Sequence, residues 1–296
     1  MAKLEGRVID TQDLEKVVAL TLASAYIKGE RPLSLMIVSD RPESGKTDTV
    51  NRFDVNKRVA YLNDVTAYAL WRDFGKDLAN GNIKHFFIPE FLAPISRQSQ
   101  TVASFIATLQ MLIEEGLKEI HTGFLEPIKL KNPVTVGAVV CLPRNAFGEN
   151  KLSWEISGFL SRFLVITYRY NDNTIEKVFD SIENREYLTE TKTDLYLPDQ
   201  EIAVRIPKDI ANKCRVLAQE LTAQSRKDGK VYGYRELKNI FKLIGAMVVL
   251  CNCNGSDRTV VNEDDLSEVM RLSYLFTENF NALKGEDNDK STEVSS

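Results

Sequence analysis

One short stretch places a lysine and a threonine in the spacing that phosphate binding requires. Leu33 to Val38 is an apolar run bounded by turn-forming residues, which predicts a buried strand. A P-loop consists of Gly, four residues and then Gly-Lys-Ser/Thr, placed between a strand and a helix. The last three residues of that pattern are present, and Asp40 stands where the first Gly belongs. The run after the strand is Asp40, Arg41, Pro42, Glu43, Ser44, Gly45, Lys46 and Thr47.

Each part of this run has a chemical task in the P-loop interpretation. Backbone N–H groups of the loop and of the following helix would hold phosphate oxygens. Lys46 would place a cation on the β- and γ-phosphates, and the Thr47 hydroxyl would be a ligand of Mg²⁺. The carboxylates of Asp40 and Glu43 work against phosphate binding. The predicted cofactor-binding residues run from Asp40 to Asp48, with ATP and Mg²⁺ as ligands; the alternative is an ordinary strand–turn–helix with a chance Gly-Lys-Thr.

A second apolar run ends in an acidic residue. Ile83 to Ile88 (IKHFFI) predicts another buried strand, and Pro89 and Glu90 follow it. Nucleotide hydrolysis needs an acid at such a strand tip to hold Mg²⁺ and to polarise the attacking water, and usually two acids lie side by side. Glu90 is therefore the predicted catalytic and metal-binding acid. The alternative is a strand followed by a proline turn.

Composition is ordinary for a soluble globular protein. Charged residues make up 27% and hydrophobic residues 43% of the 296 residues, and the formal net charge is −4. This charge excludes a global basic field for nucleic acid but leaves room for a local basic groove. The first residues lack the apolar core of a signal peptide, and no apolar run reaches the roughly 18 residues of a membrane span. We expect a cytoplasmic protein without a membrane partner.

Strands and helices alternate through about residue 170, which predicts a three-layer α/β domain with a mainly parallel sheet. A third buried strand, Thr135 to Leu142, ends in Pro143-Arg144-Asn145, at the strand end where open α/β sheets bind ligands. Further predictions, in chain order, are a helix over 13–28, a short helix over 47–56, a strand over 58–62, a helix or loop over 65–80, a helix over 98–116, a hairpin or inserted loop over 119–131, a helix over 154–163 and a strand over 164–169.

The character of the chain changes after this alternation. Residues 183–207 are polar and loop-like and are the predicted linker, in which 199–206 forms a strand or an extended arm. Residues 208–284 predict a small helical lid, with helices over 210–223, 234–251 and 263–283. Residues 285–296 are acidic and rich in Ser and Thr, which predicts a disordered tail. Residues 1–182 are then the nucleotide-binding core.

Short motifs in a fixed order resemble the AAA+ ATPases, and among them the helix-2-insert/pre-sensor-1-hairpin clade that includes the minichromosome-maintenance (MCM) helicases. Ile88-Pro89-Glu90-Phe91 resembles their Ile-Asp-Glu-Phe Walker B motif, and Gly158 to Phe163 resembles their Leu-Leu-Ser-Arg-Phe arginine-finger segment. Tyr234-Arg235-Glu236-Leu237 is similar to their sensor 2 helix, and Val261 to Leu266 to the start of their last lid helix. Cys141 to Asn145 falls where that family has Ala-Ala-Asn-Pro.

The resemblance implies roles for single residues. Arg162 would neutralise charge on the phosphate of a neighbouring copy, which requires a ring or filament of this chain. Arg235 would contact the cofactor as sensor 2, and Asn145 would be sensor 1. Lys129 and Lys131, on the predicted hairpin, would contact DNA phosphates. The alternatives are a surface arginine at a helix end for Arg162, a plain lid-helix charge for Arg235 and a solvated loop for the two lysines.

The departures from the family pattern concern the binding of Mg·ATP. Asp40 replaces the first P-loop Gly, Glu43 replaces a small residue, and Pro89 replaces the metal-orienting Asp. The resulting hypothesis is a degenerate AAA+ subunit, a DNA-associated motor or switch in replication or a mobile-element process, that binds nucleotide weakly or hydrolyses it slowly. It would act beside an active AAA+ or replication partner, or use Glu90 alone. The alternative is an inactive adaptor, or a MoxR-like remodelling protein that acts on protein partners.

Overall fold

The computed structural model describes residues 9–122, 125–186, 192–225, 233–253 and 255–284, and the side chains of 120–132 lie outside the description. The predicted tail at 285–296 and the side chains of Lys129 and Lys131 therefore fall outside the described part. Within the described ranges, no helix combines the length and the apolar character that a membrane crossing requires.

In the described part of the chain, seven strands form two sheets. Five of them make one parallel sheet in the order β2-β3-β6-β1-β7, and β4 and β5 form an antiparallel hairpin. In chain order the strands are β1 (Leu35–Ser39), β2 (Val59–Tyr61), β3 (His85–Ile88), β4 (Leu117–Thr122), β5 (Leu125–Val134), β6 (Gly137–Pro143) and β7 (Leu164–Tyr168).

The helices of the described part comprise ten α-helices and three short turns of other types. The α-helices are α1 (Gln12–Ser24), α2 (Lys46–Asn51), α3 (Ala67–Ala79), α4 (Leu92–Ile95), α5 (Ser99–Gln110), α6 (Arg144–Ile156), α7 (Asp172–Glu183), α8 (Lys208–Ser225), α9 (Tyr234–Cys253) and α10 (Glu263–Leu272). A π-helical turn (Met111–Glu115) continues α5, and 3₁₀ turns lie at Leu160–Arg162 and Ser273–Phe276.

The sheet is buried on both faces, as its internal strand β1 shows. Leu35 and Ile37 of β1 belong to a core that includes residues of α1, α8, α9 and α10. Met36 and Val38, which point to the other face because side chains alternate along a strand, pack with residues of α3, α5 and α6. Helices on both faces of a parallel sheet confirm the predicted three-layer α/β class with a helical region after it.

The helical region after residue 207 packs against the sheet core. Helices α8, α9 and α10 share one continuous apolar cluster with α1 and β1. Before them, the segment from 192 to 207 runs as an extended arm with two isolated bridges, Ile27 to Ile202 and Arg205 to Val260. Because the cluster crosses the proposed boundary at residue 208, the division into a core and a lid stays a prediction.

Two helical stretches differ from the sequence prediction: the helix predicted over 154–163 lies at 144–156, and no helix was predicted over 172–183. Helix α6 begins at Arg144, ten residues before the predicted start, because its inner face carries only Ala146, Phe147 and Trp154 while Leu152 and Ile156 are exposed. This arrangement weakens the apolar periodicity that reveals a helix. Helix α7 occupies the stretch in which the sequence indicated only a change of character.

Local capping explains where several helices begin. The Asn171 side chain accepts a hydrogen bond from the Thr174 backbone N–H at 2.7 Å and so starts α7. The Thr66 hydroxyl accepts one from the Ala69 N–H at 3.2 Å, which starts α3 in the stretch left open between helix and loop. Such caps satisfy backbone donors that have no partner within the helix.

Candidate functional site

The predicted P-loop residues lie at the carboxyl edge of the sheet. Strand β1 ends at Ser39, the loop turns through Glu43 and Gly45, and α2 begins at Lys46. Gly45 has φ = 72°, a conformation that glycine adopts without a Cβ penalty. Glu43 has φ = 59° and bears a side chain, which costs about 1 kcal/mol. The loop therefore keeps a tight left-handed geometry even at a position occupied by a glutamate.

A buried tyrosine of the neighbouring strand holds this loop in place. The Tyr168 hydroxyl donates to the Ser44 carbonyl at 2.7 Å, and the Asp40 N–H donates to the Tyr168 carbonyl at 3.0 Å. Tyr168 is fully buried, and this burial raises the pKa of its hydroxyl. The loop is thus fixed at both ends to β7.

The predicted metal-binding oxygens lie together. The Thr47 hydroxyl donates to Glu90 Oε1 at 3.2 Å, and Glu90 is exposed while the preceding Pro89 is buried. Mg²⁺ is usually held by one or two protein oxygens together with phosphate oxygens and water rather than by a complete protein cage. In the described part of the chain, no group of three or more His, Cys, Asp or Glu could hold a metal by itself. The Thr47–Glu90 pair fits a metal that arrives with a phosphate.

The carboxylate that replaces the first P-loop glycine is neutralised by a neighbouring strand end. Arg144 Nη1 lies 2.6 Å from Asp40 Oδ1, and the Arg144 guanidinium lies 4.7 Å from the centre of the Phe280 ring. Within the described ranges, no carboxylate lies at ion-pair distance from the Lys46 ammonium. The Lys46 charge is therefore available to a ligand, and Asp40 is not its partner.

Two further groups border this edge. Asn145 is exposed in the first turn of α6, two residues beyond Pro143, which pairs with Ser39 of β1. Cys141 lies beneath the loop, where its thiol is 3.9 Å from the Lys46 carbonyl oxygen. Burial raises the pKa of the Cys141 thiol to about 12, so it stays neutral and a poor metal ligand near pH 7.

The two predicted arginines lie at the opposite, amino edge of the sheet. Arg162 ends a 3₁₀ turn just before β7, and Leu164 pairs with Leu35 at the start of β1. Ser39 is four residues further along β1, about 13 Å away at the rise of a strand. Arg235 contacts the same 3₁₀ turn, because its guanidinium donates to the Ser161 hydroxyl.

One glutamate joins these arginines. Glu114, in the π-helical turn, has its Oε2 atom 2.8 Å from Arg162 Nε and 3.3 Å from Arg235 Nη2. The Arg162 contact is a close charge pair whose angle does not make a hydrogen bond, so Nε has no aligned acceptor. Arg162 Nη1 donates to the Gly158 carbonyl at 2.5 Å. We call Arg162, Arg235, Ser161 and Glu114 the arginine cluster.

The structure thus divides the predicted site residues into two sets. The carboxyl-edge set contains Asp40 to Asp48, Glu90 and Asn145, and the amino-edge set contains Arg162 and Arg235. Sequence reasoning did not assign roles to Arg144 or Glu114. The Pro-Arg-Asn run at a strand end could have identified Arg144 as a residue near the ligand edge. No feature of the neighbouring sequence identifies Glu114 as the partner of two arginines. The roles of all these residues stay predictions.

Comparison with known proteins gives likenesses in structure but none in sequence. No protein-family model matches the chain, and no curated protein matches it in sequence. Among solved structures, the crystal structure of a "putative ATPase" from Cytophaga hutchinsonii matches 97% of this chain and 87% of its own length. The two chains share 13% sequence identity, and the TM-score is 0.45.

Proposed function

We propose that this chain binds ATP with Mg²⁺ in a P-loop and works as a AAA+-type nucleotide-dependent protein. The observation that carries the proposal is the carboxyl-edge set itself. A left-handed loop leads from a buried strand into a helix that starts with Lys46, whose ammonium has no carboxylate partner in the described part of the chain. The Thr47 hydroxyl and the Glu90 carboxylate lie beside it and supply two oxygens for a phosphate-bound metal.

The position of the arginine cluster favours an assembly of several copies. Arg162 and Arg235 lie about one strand length from the P-loop of their own chain, so they do not reach its phosphates. In a ring or filament, the amino edge of one copy would meet the carboxyl edge of the next. An arginine supplied from a neighbour stabilises the charge that develops during phosphoryl transfer.

Hydrolysis is expected to be slow. Pro89 removes one of the two acids that usually hold Mg²⁺ at this strand tip, and Glu90 alone is left to orient both the metal and the water. Against this, the Arg144–Asp40 ion pair offsets the unfavourable charge at the first P-loop position. We therefore expect the departures from the P-loop pattern to weaken nucleotide binding less than they slow ATP hydrolysis.

The finer proposal is an MCM-like motor or switch that works on DNA in replication or a mobile-element process. It is supported by the order of the five sequence motifs and by the antiparallel β4–β5 hairpin inserted before β6. The other candidate is an adaptor or MoxR-like remodelling protein that binds protein partners. An active AAA+ partner would be compatible with either candidate. This chain would then supply arginines to the partner's nucleotide site, and the partner would hydrolyse the ATP.

Titration with a fluorescent ATP analogue tests nucleotide binding. Lys46→Ala should weaken binding at least about tenfold, since it removes the cation for the β- and γ-phosphates. Lys76→Ala, which removes an exposed lysine of α3, is the matched control and should bind as the wild type does. Equal affinity of the Lys46→Ala variant and the wild type would refute the proposal. Turnover above about 1 per second would refute slow hydrolysis.

DNA binding separates the two finer candidates. If the hairpin lysines contact phosphates, affinity for DNA should fall steeply as salt rises, and Lys129→Ala/Lys131→Ala should reduce that slope by about two. Absence of salt-dependent DNA binding by the nucleotide-loaded chain would favour a protein-directed role. The Lys46→Ala variant shows whether any DNA binding depends on the nucleotide.

A further inference from the structure

We infer that Glu114 is an internal counter-ion of Arg162 and Arg235. In a single, unassembled copy its carboxylate holds both arginines, in a contact that we call the clasp. Glu114 must be displaced before these arginines can contact a phosphate of a second copy. The inference rests on the proposed function, because it concerns the same arginines. It adds a regulatory contact: an autoinhibitory carboxylate that joins the core to the helical region. The closest charge contacts are Arg162 Nε to Glu114 Oε2 at 2.8 Å and Arg235 Nη2 to the same oxygen at 3.3 Å.

Arg162 is occupied by its own chain. Its side chain is only 14% exposed, Nη1 donates to the Gly158 carbonyl at 2.5 Å, and Nη2 lies 3.9 Å from Glu115. Gly158 permits this contact, because a Cβ there would lie 3.1 Å from Arg162 Nη1 and the residue has φ = 71°. An arginine held in this way cannot form a bidentate pair with a phosphate unless it gives up contacts.

The clasp is also imperfect in a way that allows exchange. Arg162 Nε is buried without an aligned acceptor, although the Glu114 oxygen is close enough for charge attraction. A phosphate carries more charge than a carboxylate and more acceptor oxygens, so it can satisfy both guanidinium groups together. Exchange of Glu114 for phosphate would therefore restore the hydrogen bonds that the clasp lacks.

The backbone places Glu114 between two structural layers. The π-helical turn ends at Gly116, whose N–H bonds to the Met111 carbonyl at 2.9 Å, and Leu112 and Ile113 are buried while Glu114 is partly exposed. Single π-helical turns occur often at functional sites. From this turn the carboxylate reaches the 3₁₀ turn of the core through Arg162 and helix α9 through Arg235. Displacing it would loosen the contact between these two elements.

The Glu114 carboxylate also acts on a lysine of α9. The pKa of Lys242 on α9 is lowered, mainly by burial, and the positive charges of Arg31 and Lys238 lower it further. The carboxylates of Glu30 and Glu114 act in the opposite direction on the same group. Glu114 therefore interacts with Lys242 of α9 as well as with Arg235.

Chemical modification of arginine tests the clasp without nucleotide. Phenylglyoxal is added to the full chain, and the modification of Arg162 and Arg235 is measured by peptide mass spectrometry. Glu114→Gln keeps the shape of the side chain but removes its charge, so both arginines should react severalfold faster than in the wild type. Glu115→Gln is the matched control, because Glu115 is 66% exposed and 3.9 Å from Arg162, and should change the rates little. Unchanged rates in Glu114→Gln would overturn the clasp.

ATP-dependent assembly tests the autoinhibition. Glu114→Gln should assemble at about fivefold lower protein concentration than the wild type in sedimentation experiments, because partly exposed ion pairs contribute up to about 1 kcal/mol each. Weaker assembly of Glu114→Gln would show that Glu114 positions the arginines instead, and would overturn the inference. Glu114→Asp, which retains the charge on a shorter side chain, should fall between the two and replaces Glu114→Gln if that variant does not fold.

The outcomes separate this inference from the proposed function. If the wild type binds ATP but Glu114→Gln neither exposes the arginines nor eases assembly, the inference alone fails. If Glu114→Gln exposes the arginines but neither the wild type nor any variant binds ATP or assembles, the proposed function is refuted. The part of the inference in which a neighbour's phosphate displaces Glu114 is then refuted as well.

Discussion

The two edges of the parallel sheet carry opposite electrostatic arrangements. At the carboxyl edge, Lys46 has no carboxylate partner in the described part of the chain, and the acid that could have neutralised it, Asp40, is paired with Arg144. At the amino edge, Arg162 and Arg235 already share Glu114. The carboxyl edge therefore holds a cation that can bind an anionic ligand directly. The arginines of the amino edge can do so only after their ion pairs with Glu114 are broken.

Because of this difference, removing an unpaired charge and removing a paired charge are expected to have different effects on ligand binding and on the stability of the fold. Removing Lys46 should affect ligand binding with little effect on the fold, because the described structure gives it no ion pair to lose. Removing an amino-edge arginine should affect both ligand binding and the stability of the fold, because the partly buried Glu114 carboxylate then loses a positively charged partner.

Arg162→Ala should lower ATP turnover about a thousandfold, the size of effect known for an arginine supplied by a neighbour. The measurement is steady-state phosphate release by the assembled protein. Mixing Arg162→Ala with Lys46→Ala in equal amounts should restore about a quarter of wild-type turnover, because about one junction in four then pairs an intact P-loop with an intact arginine. No recovery in the mixture, with both variants folded and co-assembled, would contradict a site shared between copies.

His85 should make the stability of the amino edge depend on pH. Burial lowers the pKa of His85 to about 4 from an ordinary 6.5, with Lys84 lowering it further and the hydrogen bond to the Leu33 carbonyl opposing this. Between these values the unfolded chain binds more protons than the folded one, so stability falls as the pH drops from about 6.5 to about 4 and is unaffected above that range. The full loss is about 3 kcal/mol.

Urea unfolding at several pH values measures this loss. His85→Gln keeps a donor for the Leu33 carbonyl but cannot take up a proton, so its stability should fall less than that of the wild type between pH 6.5 and 4. Comparing the two curves removes the carboxylate titrations that both chains share. Parallel curves across this window would show that His85 is not held neutral in the fold.

The fold was predictable where local composition decides it. Apolar runs predicted β1, β3, β6 and β7, because a strand buried on both faces has no polar alternation to obscure it. The Gly-Lys-Thr triplet located the start of α2, since glycine at positive φ is a local requirement of the turn before that helix. The helix predicted over 154–163 lies at 144–156 instead, because the exposed Leu152 and Ile156 interrupt the amphipathic pattern of α6.

The pairings at the two edges could not be read from the sequence. Arg144 and Asp40 are 104 residues apart, and Arg235 and Glu114 are 121 residues apart, and each pair meets only after the sheet has assembled. Asp40 therefore appeared as a charge opposed to phosphate, whereas the fold neutralises it. For the same reason the contact of Arg235 with Ser161 was not predicted, and the role of Arg235 at the cofactor stays a prediction.

Glu90→Gln should lower turnover about a hundredfold while nucleotide binding changes little, because the amide still accepts from Thr47 but cannot polarise the attacking water. Phosphate release under single-turnover conditions and titration with the fluorescent ATP analogue measure the two quantities. The control is Glu149→Gln, which removes an exposed carboxylate of α6 outside the predicted site and should leave turnover near that of the wild type. Equal turnover of Glu90→Gln and the wild type would move the catalytic acid elsewhere.

The Asp40–Arg144 pair should give the smallest effect, and it tests whether the carboxyl edge needs its own neutralised acid. Arg144→Ala leaves the Asp40 carboxylate uncompensated near the phosphate site and should weaken nucleotide binding about fivefold, as expected for a partly exposed charge. Asp40→Gly, which restores the usual P-loop residue, should bind as tightly as the wild type or more tightly.

The double variant Asp40→Gly/Arg144→Ala decides between charge compensation and a direct contact. If Arg144 acts only by neutralising Asp40, its loss costs nothing once Asp40 is gone, and the double variant binds like Asp40→Gly. If the double variant is about fivefold weaker than Asp40→Gly, Arg144 contacts the nucleotide itself and belongs to the site as a phosphate-binding residue. In that case the carboxyl edge would supply two cations to the triphosphate, and its contrast with the clasped arginines of the amino edge would be larger than the structure alone indicates.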